Sequence, residues 1–293
     1  MSPINKVIYY PGCSLHSTAK EYDVSSKLVC EDLGIELKEL EDWVCCGATT
    51  AHITSELTAI ALPLKNLISA EKSGLPIVTP CSACYSRLKM ADIIVKKDKD
   101  LKKEVEDIIG EEYKGKAEIY HLSRIIGEKY GLENLKNKVK KQLKGLKVVS
   151  YYGCLLTRPK EVCDYDKIEN PEFLDNIVSS LGAEPVMWYY KTECCGAAFS
   201  LTKKDIVLKL TGDILQEAKD VGADCVIVAC PLCHSNLDAR QPEIMKKYKK
   251  DLNIPIFYFT QLIGLALGYG YMDLMFNKHF VDPKKLLQDK GII

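Results

Sequence analysis

The tetrapeptide Cys45-Cys46-Gly47-Ala48 recurs in this 293-residue chain as Cys194-Cys195-Gly196-Ala197. A second shared motif precedes each copy, Tyr9-Tyr10-Pro11-Gly12-Cys13 in the first half and Tyr151-Tyr152-Gly153-Cys154 in the second. A third motif, a C-x-x-C pair after an apolar run, follows each copy. Because the three motifs keep the same order in both halves, they indicate an internal duplication. The sequence therefore predicts two related units in one chain.

Each unit alternates short β-rich runs with longer segments of helical apolar spacing. The predicted strands are Val7–Tyr10, Glu36–Leu40, Ile77–Thr79, Ile119–Tyr120, Lys147–Tyr152, Pro185–Tyr189, Cys225–Ala229 and Ile256–Phe259. The predicted helices include Ser25–Leu33, Ile53–Ser69, Pro171–Leu181 and Lys204–Val221. This alternation is typical of parallel sheets with helices on their faces. We expect an α/β fold of two pseudo-symmetric repeats, residues 1–145 and 146–293, each a small, mostly parallel sheet flanked by helices.

The cysteines of the shared motifs come just after the predicted strands. In open α/β sheets, ligands bind outside the carboxyl ends of the strands, so the loops that carry these cysteines should converge there. We expect each repeat to assemble its own group of thiols. The candidate metal ligands are Cys13, Cys45, Cys46, Cys81 and Cys84 in the first repeat, and Cys154, Cys194, Cys195, Cys230 and Cys233 in the second.

Five cysteines per repeat restrict the kind of metal centre. A structural zinc ion takes four ligands and a 4Fe-4S cubane usually takes four cysteines, so a set of five exceeds both. Adjacent cysteines cannot easily turn both sulfurs to one metal, but they can bind neighbouring irons of an extended cluster. The pattern favours iron–sulfur centres, with zinc in at least one repeat as the alternative. Cys30, Cys163 and Cys225 lie outside the pattern and are predicted to be small buried hydrophobic residues.

Charge and cysteine usage narrow the class of protein. Lys plus Arg and Asp plus Glu are balanced at 40 each, so there is no overall basic field to attract nucleic acid. The N-terminal residues do not resemble a secretory signal, and thirteen cysteines in a reducing cytoplasm indicate metal ligands rather than disulfides. The uncharged stretch 257–272 is too short to span a membrane, and we interpret it as a buried strand followed by a core helix. We expect a cytoplasmic protein.

These motifs resemble those of the cysteine-rich CCG domain family, and the resemblance covers almost the whole chain. The two-repeat form is most similar to the B subunits of heterodisulfide reductases from methanogenic archaea. The resemblance implies a catalytic iron–sulfur subunit that reduces the heterodisulfide of coenzyme M and coenzyme B to the two thiols in methanogenesis. It also implies two 4Fe-4S clusters of noncubane shape, one on each set of five cysteines, which each deliver one electron to a substrate bound between them.

The resemblance implies partner proteins as well. These are a ferredoxin-like C subunit, together with an A subunit that has flavin and iron–sulfur clusters, and in some complexes a hydrogenase or formate dehydrogenase. The chain has no C-x-x-C-x-x-C run and no G-x-G-x-x-G after a strand, so it shows neither a ferredoxin module nor a dinucleotide site. We therefore expect its electrons to arrive from another subunit.

Substrate recognition calls for positive charge. Coenzyme M carries a sulfonate and coenzyme B carries phosphate and carboxylate groups, so cationic side chains are expected beside the clusters. The candidate substrate-binding residues are His16, Lys20, Arg158, Lys191 and His234. No catalytic residue is predicted beyond the cluster ligands.

Two other functions fit the same motifs. One is an iron–sulfur electron-transfer subunit of another oxidoreductase, of the lactate, glycolate or fumarate type. The other is a noncatalytic scaffold that metal stabilises. Binding of the mixed disulfide to the isolated chain distinguishes both from the reductase, because a carrier or a scaffold would bind none.

Overall fold

The computed structural model describes residues 4–48, 51–163 and 167–293, and only the backbone of His52. Residues 1–3 of the predicted first repeat lie outside the described residues. The described chain forms two four-stranded sheets, and every strand pair in them is parallel. The predicted α/β fold with pseudo-symmetric repeats is confirmed, while the boundary at residues 145 and 146 stays a prediction.

The first sheet contains strands from the first half of the chain alone. They are β1 (Lys6–Tyr9), β2 (Glu36–Glu39), β3 (Ile77–Thr79) and β4 (Ile119–His121). Their spatial order is β2-β1-β3-β4. The inner strand β3 is wholly buried, whereas the edge strand β2 alternates between exposed and half-buried residues. The inner strands β1 and β3 are buried apart from Lys6, as expected for parallel strands that are covered on both faces.

The second sheet repeats this topology with strands from the second half. They are β5 (Lys147–Tyr151), β6 (Glu184–Pro185), β7 (Cys225–Val228) and β8 (Ile256–Tyr258). Their order is β6-β5-β7-β8, so each strand occupies the same place as its counterpart in the first sheet. The duplication seen in the motifs therefore extends to the sheet topology.

The edge strand β6 is shorter than the predicted strand Pro185–Tyr189. Pairing continues as far as Val186, whose amide donates to the carbonyl of Val148 at 2.8 Å. The next carbonyl of β5, that of Ser150, accepts a hydrogen bond from the indole Nε1 of Trp188 at 3.0 Å. A buried side chain thus takes the acceptor that a backbone amide would need, and the ladder ends.

Fourteen α-helices of the described chain connect and flank the strands. They are α1 (Gly12–Leu15), α2 (Lys20–Asp32), α3 (Ala51–Thr54), α4 (Glu56–Glu71), α5 (Ser82–Lys97), α6 (Lys99–Ile109), α7 (Leu122–Arg124), α8 (Leu132–Lys138), α9 (Phe173–Ser180), α10 (Lys204–Asp220), α11 (Pro231–Ala239), α12 (Gln241–Tyr248), α13 (Phe259–Ala266) and α14 (Lys284–Asp289). A π-helix spans Ile125–Gly131, and 3-10 helices span Ala197–Phe199 and Phe276–Lys278.

The four predicted helices are present with shifted ends. The predicted helix Ile53–Ser69 is divided into α3 and α4 at Ser55, because the Ser55 side chain accepts a hydrogen bond from the amide of Thr58 and caps α4. Helix α2 begins earlier than predicted, at Lys20. These differences do not move any of the cysteines that follow the strands.

The two halves pack against each other through α2 and α13. The ring of Tyr22 stacks on that of Tyr258, with centroids 3.9 Å apart, and the hydroxyls of Ser25 and Thr260 are 2.7 Å apart. Every residue of α13 is buried. The stretch 257–272 therefore begins as a buried strand and a core helix, as predicted, and the core is continuous between the halves.

Candidate metal centres

Three loops of the first sheet bring five cysteines together. Cys13 lies in α1 directly after β1, and its Sγ atom is 3.9 Å from that of Cys45, in the loop after β2. The Sγ atoms of Cys46 and Cys84 are 3.4 Å apart. Cys81, which precedes α5, hydrogen-bonds to Cys84. All five predicted ligands of the first repeat thus lie in one group.

The second sheet assembles its cysteines in the same pattern. The Sγ atoms of Cys154 and Cys194 are 3.9 Å apart, and those of Cys195 and Cys233 are 3.7 Å apart. Cys230 precedes α11 and hydrogen-bonds to Cys233. In each half, the first cysteine therefore meets the first cysteine of the CCG motif, and the second cysteine of that motif meets the last one of the C-x-x-C pair.

Each group has an outer and an inner part. Cys13, Cys45 and Cys194 are exposed, and Cys154 is half-buried. The remaining six cysteines are buried: Cys46, Cys81 and Cys84 in the first half, and Cys195, Cys230 and Cys233 in the second. A group bound by these thiols would be held from the protein interior and would present one side to solvent.

Glycines before the first cysteine of each group make room for the last one. Gly12 has φ +72°, and a Cβ atom there would lie 2.9 Å from Sγ of Cys84. Gly153 has φ +68°, and a Cβ atom there would lie 3.3 Å from Sγ of Cys233. The left-handed backbone and the close sulfur both favour glycine at these two positions, which explains why the motifs share it.

The first cysteine of each CCG motif ionises readily. Hydrogen bonds from Cys13 and Cys46 lower the pKa of Cys45 to about 2. A hydrogen bond from Cys154 lowers the pKa of Cys194 to about 6. The amide of the glycine in the same motif also donates to each sulfur, at 3.5 Å in the first half and 3.3 Å in the second. Because the thiolate is the form that binds metal, these contacts favour metal binding.

The two groups of thiols meet at the C-x-x-C loops. Hydrogen bonds from Cys233 and Cys81 lower the pKa of Cys230, and its bond with Cys230 raises the pKa of Cys81. The amide and the hydroxyl of Ser82 both donate to the carbonyl of Ala229, at 3.2 and 2.8 Å. The C-x-x-C loops of the two groups are therefore joined by hydrogen bonds across the boundary between the halves.

The donor set suits a thiolate-bound metal centre. Hydrogen bonding with Cys45 and burial raise the pKa of Cys46 to about 11, so this buried thiol stays protonated unless a cation compensates its charge. Iron in an iron–sulfur cluster supplies that compensation and takes cysteine thiolates as ligands. Thiolates also suit zinc, so the chemistry of the sulfur donors alone leaves both metals open.

The three cysteines outside the motifs lie away from these groups. Burial raises the pKa of Cys30 and of Cys163 to about 12, and it also raises the pKa of Cys225. Cys30 and Cys225 are inside the core, and Sγ of Cys163 is 3.5 Å from the carbonyl oxygens of Leu155 and Arg158. Their predicted role as small buried residues agrees with this placement.

Three of the five cationic candidates lie at the surface. His16 pairs with Glu39 at 3.0 Å, and Arg158 pairs with Glu169 at 2.6 Å. Lys20 is exposed at the start of α2. His16 and Arg158 each follow the first cysteine of their group within one helical turn, so both lie beside a candidate metal centre. Their contact with a substrate stays a prediction.

The other two cationic candidates, Lys191 and His234, are buried. The ammonium of Lys191, which is only 3% exposed, lies 2.8 Å from Asp175 Oδ2 and 3.0 Å from the carbonyl of Pro171. The ring of His234 stacks on Tyr258, and its Nε2 lies 3.0 Å from the carbonyl of Ile256. These contacts favour structural roles, and their predicted contact with substrate anions has no support in their placement.

Sequence reasoning missed a second group of potential metal ligands. Ligand atoms of His234, Asp238 and His279 lie within 4.8 Å of one another, and the i, i+4 spacing of the first two was the signal for it. Gln261 donates to Nε2 of His279, while its Oε1 accepts from the amide of Tyr258. The proton of neutral His279 is therefore on Nδ1, and the ring has no free lone pair for a cation. This group is better explained as hydrogen-bonded packing.

Known proteins share both the motifs and the length of this chain. The cysteine-rich domain named CCG matches residues 7–89 and 148–238. The membrane anchor subunit of 8-methylmenaquinol:fumarate reductase from Wolinella succinogenes is 34% identical, over 95% of this chain and 98% of that protein. The B subunit of the ferredoxin/F420H2-dependent CoB-CoM heterodisulfide reductase from Methanosarcina acetivorans is 32% identical, over 96% of each chain. A protein from Archaeoglobus profundus, described as similar to the B subunit of heterodisulfide reductase, is 30% identical, over 88% of this chain and 89% of that protein.

A solved structure shares the fold. A hypothetical protein from Helicobacter pylori superposes with a TM-score of 0.75 at 15% identity, over 96% of this chain. This chain spans about half of that protein, 53% of its length. Among the described residues, no helix has the length and apolar character needed to cross a membrane.

The relatives are subunits of multi-subunit reductases, which supports an iron–sulfur oxidoreductase role. The repeated CCG match covers the two regions that contain the two groups of thiols. On these matches and on the paired arrangement of the thiols, the chain belongs to the cysteine-rich CCG domain family.

Proposed function

We propose that this chain is the catalytic iron–sulfur subunit that reduces the heterodisulfide of coenzyme M and coenzyme B to the two thiols. Each repeat would hold one 4Fe-4S cluster of noncubane shape on its five cysteines. The observation that carries the proposal is the meeting of two equivalent thiol groups at their C-x-x-C loops, where the amide and the hydroxyl of Ser82 donate to the carbonyl of Ala229. Two adjacent redox centres suit the cleavage of one disulfide bond by two electrons.

The electron count supports this pairing. Reduction of a disulfide takes two electrons and two protons and yields two thiols, whereas an iron–sulfur cluster commonly passes one electron at a time. When bound, each cluster would supply one of the two electrons. Both sulfurs of one substrate would then be reached together by the two clusters.

The outer thiols indicate where a substrate would approach. Cys13, Cys45, Cys154 and Cys194 lie on the solvent side of the two groups, and the other cysteines are buried behind them. His16 and Arg158 are exposed and follow the outer cysteines Cys13 and Cys154 by three and four residues. A disulfide with anionic ends would enter from this side, with its charges facing the two cations.

Electrons would come from partner proteins. We infer a ferredoxin-like C subunit, together with an A subunit that contains flavin and iron–sulfur clusters, and in some complexes a hydrogenase or formate dehydrogenase, all in the cytoplasm. Relatives named as reductase subunits, including the D subunit of a heterodisulfide reductase, support assembly into such a complex.

The test is to remove one centre at a time. Cys46→Ser and Cys195→Ser each delete one inner ligand, and Cys30→Ala, outside both groups, is the matched control. Iron, acid-labile sulfide and heterodisulfide reduction by an artificial electron donor are measured on the full chain. We expect each ligand variant to lose cluster from its own repeat and nearly all disulfide reduction, while the control keeps both. Disulfide reduction that survives the loss of either cluster would refute the proposal.

A second candidate is an electron-transfer subunit of a fumarate reductase. The observation that favours it is the 34% identity to the Wolinella subunit, over almost the whole of both chains. Isothermal titration of the cluster-loaded chain with the mixed disulfide separates the two, because an electron-transfer subunit has no site for that substrate. Saturable binding supports the reductase, and its absence supports the second candidate.

A further inference from the structure

One imidazole joins the two C-x-x-C loops. His121, at the end of β4, is fully buried, and its Nε2 atom lies 2.9 Å from the carbonyl oxygen of Pro80 and 3.1 Å from that of Ala229. These two carbonyls belong to the residues that directly precede Cys81 and Cys230. The same nitrogen therefore contacts both loops, one from each half.

The proton on this ring can be assigned from its partners. The backbone amide of Ser123 donates to Nδ1 of His121 at 3.2 Å, so Nδ1 has the lone pair. Nε2 then carries the hydrogen in the neutral ring, and the two carbonyl oxygens around it can only accept. His121 thus donates one N–H that Pro80 and Ala229 share.

The second half has no such donor at the equivalent position. His121 is paired with Thr79 in the first sheet, and Tyr258 is paired with Val228 at the same place in the second. Tyr258 stacks on Tyr22 instead of bridging carbonyls. The bridge is therefore a feature of the interface between the halves that the duplication does not repeat.

We propose that His121 is a positioning residue that fixes the separation and orientation of the two metal centres. This inference rests on the proposed function, because it assumes a cluster in each repeat. His121 and Ser82 together direct three donors from the first half at the carbonyl of Ala229. Loss of the imidazole donor would leave the two Ser82 donors alone at the carbonyl of Ala229, and would loosen the junction of the two loops directly before Cys81 and Cys230.

Loss of this bridge is expected to affect electron transfer at the two clusters. Groups that orient the ligands of a metal centre tune its potential, and small displacements of reacting centres slow a reaction strongly. His121 does not touch a reacting atom, so its effect would pass through the position of the two cysteines. We expect the loss of the His121 imidazole to change the coupling between the clusters more than it changes the cluster content.

The experiment compares His121→Phe with His121→Gln in the cluster-loaded full chain. Phenylalanine keeps a ring but removes both nitrogen functions, whereas the glutamine amide can still donate near the Nε2 position. Tyr258→Phe, at the equivalent position of the other half, is the matched control. Iron content, the reduction potential of each cluster and the magnetic interaction between the reduced clusters in electron paramagnetic resonance are measured, together with the rate of heterodisulfide reduction.

We expect His121→Phe to keep at least most of its iron, to change the magnetic interaction and the potentials, and to reduce turnover by about tenfold or more. His121→Gln should recover much of the coupling, and the control should resemble the unchanged protein. An unaltered magnetic interaction in a fully loaded His121→Phe chain overturns the inference. A loss of turnover that only follows the iron content in both variants overturns it as well. If the unchanged protein shows coupled clusters but reduces no heterodisulfide, the proposed function fails while the positioning role stands.

Discussion

In the first half the Sγ atoms of Cys13 and Cys45 lie 3.9 Å apart, and in the second half those of Cys154 and Cys194 lie at the same distance. The surroundings of these equal arrangements differ. Large apolar side chains are exposed around the second CCG motif, namely Met187, Tyr189, Phe199 and Leu201. Charged residues precede the first CCG motif, namely Lys38, Glu39, Glu41 and Asp42. The duplication thus preserves the geometry of the thiols, and the surroundings were free to diverge.

A second difference lies within the motifs. The pKa of Cys45 is lowered to about 2 and that of Cys194 only to about 6, because Cys45 receives hydrogen bonds from two thiols and Cys194 from one. These hydrogen bonds belong to the metal-free protein, because cysteines bind metal as thiolates, so the difference concerns how readily each thiol ionises before metal binds.

The largest effect expected from this comparison concerns Lys191, three residues before Cys194. The first half has the exposed Asp42 at the same position, whereas Lys191 is buried against Asp175, whose Oδ1 has no hydrogen-bond partner. Lys191→Met would leave a buried carboxylate without its cation and lower the free energy of unfolding by about 3–5 kcal/mol. Urea unfolding of the full chain measures this.

Two controls sharpen the Lys191 experiment. Asp42→Asn should change the free energy of unfolding by no more than about 0.5 kcal/mol, because the side chain is exposed and asparagine tolerates the left-handed backbone of this position, φ +52°. The double variant Lys191→Met with Asp175→Leu should recover most of the lost stability, since it removes both buried charges. If Lys191→Met is as stable as the unchanged protein but has a raised KM for the heterodisulfide, the substrate contact predicted from the sequence is right.

A somewhat smaller effect on stability is expected at acid pH. It arises because the first half has His121 where the second half has Tyr258. Burial lowers the pKa of His121 to about 4, below its usual value near 6.5. As the pH falls from 6.5 to 4, the unfolded chain gains a proton that the folded chain does not bind, so stability is lost over this range, by about 3 kcal/mol. The stability of His121→Gln should fall less steeply over the same range.

The comparison of slopes isolates His121 from the other buried histidines. Burial also lowers the pKa of His234 and of His279, and both residues remain in the variant. Only the difference between the two curves of unfolding free energy against pH is therefore assigned to His121. Tyr258→Phe should leave the slope unchanged, because a tyrosine does not titrate in this range, and equal slopes for all three proteins would contradict the assignment.

The strands and the grouping of the cysteines could be predicted from the sequence, because both follow from local patterns that occur twice. Cysteines after parallel strands converge whatever the side chains around them are. The early end of β6 could not be predicted, since it depends on Trp188 reaching the carbonyl of Ser150. The burial of Lys191 depends likewise on Asp175 in a different helix.

Contacts between the halves could not be predicted from local sequence patterns either. The hydrogen bonds from Ser82 to Ala229 join residues that are far apart in the sequence, and the bridge made by His121 joins three separate segments. A pattern of motifs indicates which residues share a loop, but not which loops of different repeats touch. The structure brings the five cysteines of each half together, and it adds a junction between the C-x-x-C loops that local patterns do not indicate.

The smallest effect on stability is expected at His16 and Arg158, the two surface cations beside the first cysteines. The side chains of their pairs with Glu39 and Glu169 are 39% to 77% exposed, so alanine at either position should lower the free energy of unfolding by less than about 1 kcal/mol. If these cations face the substrate, His16→Ala and Arg158→Ala should each raise KM several-fold. Steady-state kinetics with the heterodisulfide measures this.

The glutamates provide the reverse control, since a substrate anion has to compete with them. Glu39→Gln and Glu169→Gln should therefore lower KM where the alanine variants raise it. A guanidinium binds phosphate and carboxylate with two parallel hydrogen bonds, so Arg158 is the better match for the phosphate-bearing coenzyme. The effect of Arg158→Ala should then largely disappear with a disulfide that lacks the phosphate, while that of His16→Ala remains. Equal losses with both substrates would mean that the two repeats do not divide the ends of the substrate between them.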